Sequence, residues 1–184
     1  MVHALNNINL KIDDRETVAI IGESGAGKST LLHIMSCIDN FDGEYYLDNI
    51  DINKLSESKK SKLRSSKIGI VLQDFALIDD FTVFENVMTP LYFNKKIKDK
   101  KGSVMRALKK TGIASLKAKK VSQLSGGQKQ RVAISRALVT SPEYIFADEP
   151  TGSLDSKTSE EIVKMLFDLN RNGITIIIVT HNLD

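Results

Sequence analysis

A glycine-rich loop between an apolar strand and an amphipathic helix constrains this chain more than any other feature. Residues 22–29 fit the pattern GxxxxGK[ST], directly after the β-branched run Thr17–Ile21. The glycines let successive backbone N–H groups converge on an anion, and the helix that follows adds its positive end. This order of strand, loop and helix predicts a phosphate-binding loop. Its residues are Gly22, Glu23, Ser24, Gly25, Ala26, Gly27, Lys28, Ser29 and Thr30.

Two side chains of this loop carry specific chemistry. Lys28 places a compact positive charge where the β- and γ-phosphates of a nucleotide would lie. The hydroxyl of Ser29 has the size and hardness of a Mg²⁺ ligand. A loop that only turns the chain would need neither residue, so we expect a site for a nucleotide and Mg²⁺.

A second apolar run, over residues 143–147, ends in the two acids Asp148 and Glu149. A strand of a parallel sheet delivers its C-terminal residues to the ligand-binding edge. There, Asp148 can hold Mg²⁺ and Glu149 can orient or deprotonate a water that attacks the γ-phosphate. Two exposed acids without a function are common at strand ends, but the phosphate loop in the same chain favours the catalytic interpretation.

Strand-like and helix-like segments alternate at both ends of the chain, which predicts an α/β fold with a mainly parallel sheet. Asp42 and Gly43 before residues 44–47 suggest a small antiparallel β region. We expect one domain over residues 1–184, with a core from about 1–73 and 138–184 and an inserted helical subdomain over about 74–137. The expected strands are 17–21, 68–72, 143–147 and 174–179, and the expected helices are 28–37, 104–111, 127–139 and 157–171.

Charge is unevenly distributed. The formal net charge is +3, yet residues 95–120 contain ten lysines, one arginine and one aspartate. This stretch predicts a solvated lysine-rich surface, and a face toward anionic lipid or an acidic partner is the alternative. We expect no nucleic acid partner, because no aromatic residues alternate with the lysines.

The composition fits a chain that works inside the cell. The single cysteine, Cys37, excludes an internal disulfide and fits a reducing compartment. The N-terminus shows no signal peptide, and no apolar run is long enough to span a bilayer. A role at a membrane would therefore require a partner that spans it.

The segment Leu124, Ser125, Gly126, Gly127 and Gln128, with residues 129–137 after it, resembles the signature sequence of ABC ATPases. Three further features follow in the chain order of that family. They are Gln73 after the strand 68–72, the loop 153–155 after the two acids, and His181 after the strand 174–179. The resemblance extends over nearly the whole chain, and it implies an ATP hydrolase with the P-loop ABC fold.

The resemblance also implies a role for each motif. Ser125 to Gln128 would bind the γ-phosphate of an ATP molecule held by a second chain, which is either the other protomer of a homodimer or a paired ABC subunit. Two chains would then enclose two ATP molecules. Gln73 would ligate Mg²⁺ or contact the attacking water and link the nucleotide to the helical subdomain. His181 would hydrogen-bond the γ-phosphate and Glu149.

Residues 69–78, 81–87 and 147–155 are similar to the lipoprotein-release and macrolide-export group of this family. The composition resembles bacteriocin or antimicrobial-peptide export ATPases. This implies a cytoplasmic subunit, peripheral on the inner face of the cell membrane, that energises export through a separate integral membrane permease. The expected cargo is a peptide, a lipid-linked or a drug-like substrate.

The sequence departs from the family pattern in places. No aromatic residue precedes Phe41 to stack on adenine, Val121 replaces a frequent proline, and the chain looks truncated at both ends. A soluble, non-transport ABC ATPase is the alternative function, although the long coiled coil of repair types and the second cassette of ribosome types are absent. A binding module without catalysis is disfavoured by intact Lys28, Glu149 and His181.

Overall fold

The computed structural model describes residues 5–181 of the chain. Four strands form a parallel sheet and two short strands form an antiparallel pair. The strands are β1 (Thr17–Ile21), β2 (Tyr46–Leu47), β3 (Ile50–Asp51), β4 (Ile68–Val71), β5 (Tyr144–Asp148) and β6 (Thr175–Thr180). The helices are α1 (Lys28–Met35), α2 (Glu57–Lys67), α3 (Val83–Met88), α4 (Lys100–Lys110), α5 (Gly126–Leu138) and α6 (Ser156–Arg171).

The parallel sheet has the strand order β1-β6-β5-β4, and the antiparallel pair is β2-β3. The expected fold class is therefore confirmed. Helices cover both faces of the parallel sheet, which is why its strands are nearly continuous apolar runs. Because all four strands are parallel, their C-terminal ends meet at one edge, where the loops that carry the candidate site residues begin.

Alternation along β5 separates two hydrophobic cores. Tyr144 and Phe146 face the core that contains Leu32 of α1 and Leu63 of α2. Ile145 and Ala147 face the core that contains residues of α3, α4, α5 and α6. Helix α1 therefore lies on one face of the sheet and α5 on the other.

Local capping explains several helix boundaries. Thr82 and Glu85 form a reciprocal capping box at the start of α3, and Asp155 caps α6 through the N–H of Thr158. The α6 helix ends as expected, at Asn172 and Gly173, where a φ of 94° favours glycine. The α4 helix begins before the expected residue 104, because the carboxylate of Asp99 accepts from the N–H of Gly102.

The sequence patterns missed two helices and placed one turn wrongly. Helix α2 contains a single buried apolar side chain, Leu63, and α3 is only six residues long, so neither shows helical periodicity. The antiparallel region is present as expected, but its turn is formed by Asp48 and Asn49, not by Asp42 and Gly43. Both turn residues have positive φ, 51° and 61°, as a two-residue hairpin turn of type I′ requires.

The Asp48 carboxylate ties this hairpin to the sheet. It accepts hydrogen bonds from the Tyr144 hydroxyl and, at 2.6 Å, from Lys67 Nζ, which also bonds Glu143 at 2.8 Å. Burial favours a raised pKa for Asp48, but the bonds from Lys67 and Tyr144 outweigh it and hold the pKa below its ordinary value. The hydrogen bonds that Lys67 donates to Asp48 and Glu143 raise its pKa.

Helices α3, α4 and α5 pack around one apolar cluster in the middle of the chain. Most lysines of residues 95–120 are exposed there, as expected for a solvated surface. Among residues 5–181, none of the helices combines the length and the apolar character that crossing a bilayer requires.

Candidate functional site

The loop after β1 has the shape of an anion cradle. Gly25 and Gly27 have φ values of 82° and 85°, which side chains rarely adopt. Gly27 is the N-cap of α1 and offers no side chain to the helix start. The N–H groups of the first helical turn have no acceptor within the helix, so they remain available to an anion together with the positive helix end.

The Lys28 side chain folds back over this loop. Its Nζ donates to the carbonyl oxygens of Gly22 at 2.9 Å and Glu23 at 2.8 Å. The ammonium group thus lies against the mouth of the cradle, where it can exchange these carbonyls for phosphate oxygens. Ser29 follows in the first turn of α1 and is exposed.

Asp148 is the last residue of β5 and shares the face of Tyr144 and Phe146, which is the face covered by α1. Its side chain is nearly buried, with 7% exposure, and its Oδ1 accepts no hydrogen bond from any residue within 5–181. A buried carboxylate oxygen without a donor is costly unless a cation occupies the position. Together with the Ser29 hydroxyl, this oxygen fits a site for Mg²⁺.

Glu149 and His181 form a hydrogen-bonded pair at the same sheet edge. His181 Nδ1 lies 2.7 Å from Glu149 Oε1, and the Thr180 hydroxyl donates to Glu149 Oε2 at 3.3 Å. The Glu149 backbone is left-handed, with a φ of 45°, and its N–H donates to Val179 at 2.8 Å. The contact between His181 and Glu149 that the resemblance implied is thus present.

Gln73 lies two residues beyond β4 at the same edge, and its side chain is exposed. Within the described part of the chain, no hydrogen bond joins it to Asp148, Glu149 or Ser29. The structure therefore places Gln73 at the same edge of the sheet as the other candidate residues but does not join it to Asp148, Glu149 or Ser29 by a hydrogen bond.

Ser125 caps the start of α5. Its hydroxyl accepts from the N–H of Gln128 at 3.4 Å, while Gln128 Oε1 accepts from the N–H of Ser125 at 3.2 Å. Gly126 and Gly127 occupy the first helical turn, beside Leu154 and Thr158 at the start of α6. The start of α5 is therefore a second helix N-terminus with a small, exposed first residue, suited to an anion.

Arg136, near the end of α5, makes a contact that the sequence did not predict. Its guanidinium donates to the carbonyl oxygens of Phe75, at 2.8 Å, and of Ala76, in the loop that follows Gln73. The partners are backbone carbonyls about 60 positions away in the chain, so no local sequence pattern signals the contact.

Comparisons with known proteins agree with this geometry. Residues 5–152 match the family profile described as ABC transporter. The whole chain is 46% identical to the ABC transporter ATP-binding protein YvrO of Bacillus subtilis and covers 81% of it. The chain is also 44% identical, over 98% of its length, to the macrolide export ATP-binding/permease protein MacB of Mannheimia succiniciproducens, of which it covers only 28%.

A solved structure has the same fold. The ATP-binding cassette MJ0796, described as dimeric in a post-hydrolysis state bound to ADP and Pi, superposes with a TM-score of 0.88. It is 44% identical, and the match covers 98% of this chain and 81% of that one. A protein of the same name from Methanocaldococcus jannaschii is 46% identical over the whole chain.

Proposed function

The chain belongs to the ABC transporter family and is an ATPase of that family, and from this premise we propose that two copies close face to face around two ATP molecules to drive export through a separate permease. The proposed site combines the phosphate loop of one copy with the start of α5 in the other. Hydrolysis would remove the γ-phosphate that joins them.

One observation carries this proposal: the helices α1 and α5, whose starts are the two candidate anion sites, lie on opposite faces of the sheet and at its opposite sides. Helix α1 follows β1 at one end of the sheet, whereas α5 packs on the opposite face against β4 at the other end. Three strand spacings separate β1 from β4, or roughly 14 Å across the sheet. This separation supports a site in which one triphosphate binds the start of α1 in one copy and the start of α5 in a second copy.

Each loop residue has a task in this site. Lys28 and the N–H groups of residues 22–30 hold the β- and γ-phosphates, and Ser125 with Gly126, Gly127 and Gln128 holds the γ-phosphate from the partner side. Mg²⁺, held by Ser29, Asp148 and Gln73, would neutralise phosphate charge when bound.

Glu149 is the proposed base. Its carboxylate is fixed by His181 and Thr180, so it can orient and deprotonate a water for attack on the γ-phosphate without first reorganising. His181 holds Glu149 from the solvent side and can itself reach a phosphate oxygen.

The names of the relatives support a permease partner and an export function. The MacB relatives are named ATP-binding/permease proteins, and this chain matches about a quarter of their length. We propose that a separate permease binds this chain at the inner face of the cell membrane and exports a peptide, a lipid-linked or a drug-like substrate. Bacteriocin export is the narrowest form of this proposal.

Exposed apolar side chains in residues 78–93 suit such a partner. Tyr92 and Phe93 are 65% and 81% exposed, and Ile78 and Phe81 are also exposed. Phe93→Ser should reduce co-purification of the permease from detergent-solubilised membranes, whereas Phe167→Ser, at an exposed phenylalanine of α6, should not. Equal recovery with both variants would contradict this docking surface, and recovery of ribosomes instead of a membrane protein would favour the non-transport alternative.

Dimer formation is the direct test of the shared site. In a Glu149→Gln background, ATP should produce a dimer in light scattering, and adding Ser125→Arg should prevent the dimer while each chain still binds ATP. Ser61→Arg, at an exposed serine of α2, is the matched control and should leave the dimer intact. A dimer that persists with Ser125→Arg would refute the shared site.

A further inference from the structure

The loop that follows Gln73 has an unfavourable backbone conformation. Phe75 and Ala76 have φ values of 62° and 44°, in the left-handed region that residues with a Cβ adopt at a cost. Two consecutive residues of this kind persist only where surrounding contacts determine the backbone. Within the loop, the N–H of Phe75 donates to Leu72 at 3.1 Å, which closes the turn around Gln73 and Asp74.

Arg136 supplies the missing support. Its planar guanidinium bonds the carbonyls of both left-handed residues, Phe75 and Ala76, so one rigid group fixes two successive peptide planes. Burial lowers the pKa of Arg136, and the nearby Asp74 carboxylate opposes that effect. A guanidinium that is partly removed from water makes stronger bonds to carbonyls than an exposed one.

A second contact ties the same loop to the same helix. Lys129, in the first turns of α5, pairs with Asp79 at 3.2 Å. Between these two ties, the Asn86 side chain of α3 bonds both the N–H and the carbonyl of Ile78. The segment 75–79 is therefore held by helices of the middle region, and α5 contacts it near both of its own ends.

We propose that Arg136 is a positioning residue that fixes Gln73 to α5, the helix whose start is Ser125. Movement of α5 when its start engages a phosphate would then displace the loop and with it the Gln73 side chain. The expected effect of Arg136 on ATP turnover rests on the proposed function. The role of Arg136 in holding the loop does not depend on that function.

The position of the loop can be measured without ATP. Amide hydrogen exchange in residues 73–81 of the full chain should become about ten-fold faster in Arg136→Met, because two charge-assisted bonds are lost. Arg136→Lys keeps the charge and can donate in one direction, so amide exchange in residues 73–81 should lie between the rates of the unaltered chain and of Arg136→Met. Arg131→Met is the matched control: Arg131 lies on the same helix and bonds Thr111 and Glu161 instead, so exchange in residues 73–81 should stay unchanged.

The effect on turnover should pass through Gln73. Arg136→Lys should lower kcat about ten-fold and leave KM for ATP within about two-fold, because the phosphate loop is untouched. In a Gln73→Ala background the same substitution should lower kcat no further, since the side chain that it positions is already absent.

Each outcome decides the proposal. Unchanged exchange in residues 73–81 of Arg136→Met, or effects on kcat that multiply in the double variant, would overturn it. Faster exchange together with non-additive kcat values would support it. If the full chain hydrolyses no ATP at all, the proposed function fails, and the exchange experiment alone decides whether Arg136 holds the loop.

Discussion

The Nδ1 atom of His181 lies 2.7 Å from Oε1 of Glu149. The Thr180 hydroxyl reaches the other carboxylate oxygen, so consecutive residues at the end of β6 hold both oxygens of Glu149. The Glu149 side chain is nearly buried, with 10% exposure, and the His181 side chain is 59% exposed. A group fixed in this way keeps one orientation before and during the reaction, which is how a general base gains efficiency.

His181→Ala should therefore impair the chemical step more than binding. We expect kcat for ATP hydrolysis to fall about 100-fold, at the lower end of the range for loss of a group that assists proton transfer. Binding of a fluorescent ATP analogue should change little, because the phosphate loop is unaltered. His33→Ala, at the histidine of α1 that pairs with Asp39, is the control and should keep normal turnover; equal losses in both variants would count against a specific role of His181.

Glu149→Gln should retain ATP binding and abolish turnover. The amide keeps the shape of the side chain and can still contact His181, but it cannot accept a proton from water. Release of inorganic phosphate and equilibrium nucleotide binding measure the two effects separately. Hydrolysis at the rate of the unaltered chain would remove Glu149 from the role of base.

Lys28→Ala should abolish ATP binding. The substitution removes the charge that we propose faces the phosphates and also the two bonds to Gly22 and Glu23 that close the loop. Isothermal titration with ATP measures the loss, and thermal melting without nucleotide should show only a small change because the loop is exposed. Tight ATP binding by this variant would contradict the phosphate cradle.

The fold, and the edge of the sheet at which the candidate site lies, could be predicted from the sequence because local patterns encode them. Continuous apolar runs gave the four parallel strands, and the sheet brings the ends of β1, β4, β5 and β6 to one edge whatever the connecting segments do. Ser125 and Gln128 formed the expected helix start because a capping box is a local arrangement.

Contacts between distant segments could not be predicted. Arg136 bonds carbonyls of Phe75 and Ala76, and a carbonyl has no side-chain identity that a sequence could display.

The α2 helix is polar almost throughout, so its helicity depends on packing of Leu63 against the sheet and not on a periodic pattern. The turn at Asp48 and Asn49 was missed because the pair lacks glycine, although both residue types tolerate positive φ.

Asp48→Asn should destabilise the protein at neutral pH and much less in acid. The folded pKa of Asp48 lies below its ordinary value of 3.8. The carboxylate therefore contributes stability above that ordinary value, and the contribution is lost as the pH falls through the folded pKa. We expect a loss of about 1 to 2 kcal/mol in the free energy of unfolding at pH 7, measured by urea denaturation.

Asparagine is a suitable replacement because it tolerates the φ of 51° at this position. Tyr144→Phe removes one of the donors to Asp48 and should give a smaller loss. A difference between the Asp48→Asn variant and the unaltered chain that stays constant from pH 7 into the acid range would contradict the role of the Asp48 charge.

Gly127→Ala should destabilise the junction between α5 and α6, and a second substitution should restore it. A Cβ at position 127 would lie 2.4 Å from Thr158 Cγ2, too close for two carbon atoms. Thr158 cannot simply rotate away, because its hydroxyl donates to Asp155 Oδ2 at 2.6 Å. We expect a loss of about 1 to 3 kcal/mol in the free energy of unfolding, as for other overpacked positions.

Thr158→Ser removes the methyl group that the new Cβ would meet and keeps the hydroxyl that bonds Asp155. Gly127→Ala combined with Thr158→Ser should therefore recover most of the lost stability in urea denaturation, whereas Thr158→Ser alone should change it little. Gly126→Ala provides the comparison, since a Cβ there would meet only the flexible end of Leu154 at 3.4 Å and should be tolerated. Equal stability losses for Gly126→Ala and Gly127→Ala, or no recovery with Thr158→Ser, would show that close packing against Thr158 is not what requires a glycine at position 127.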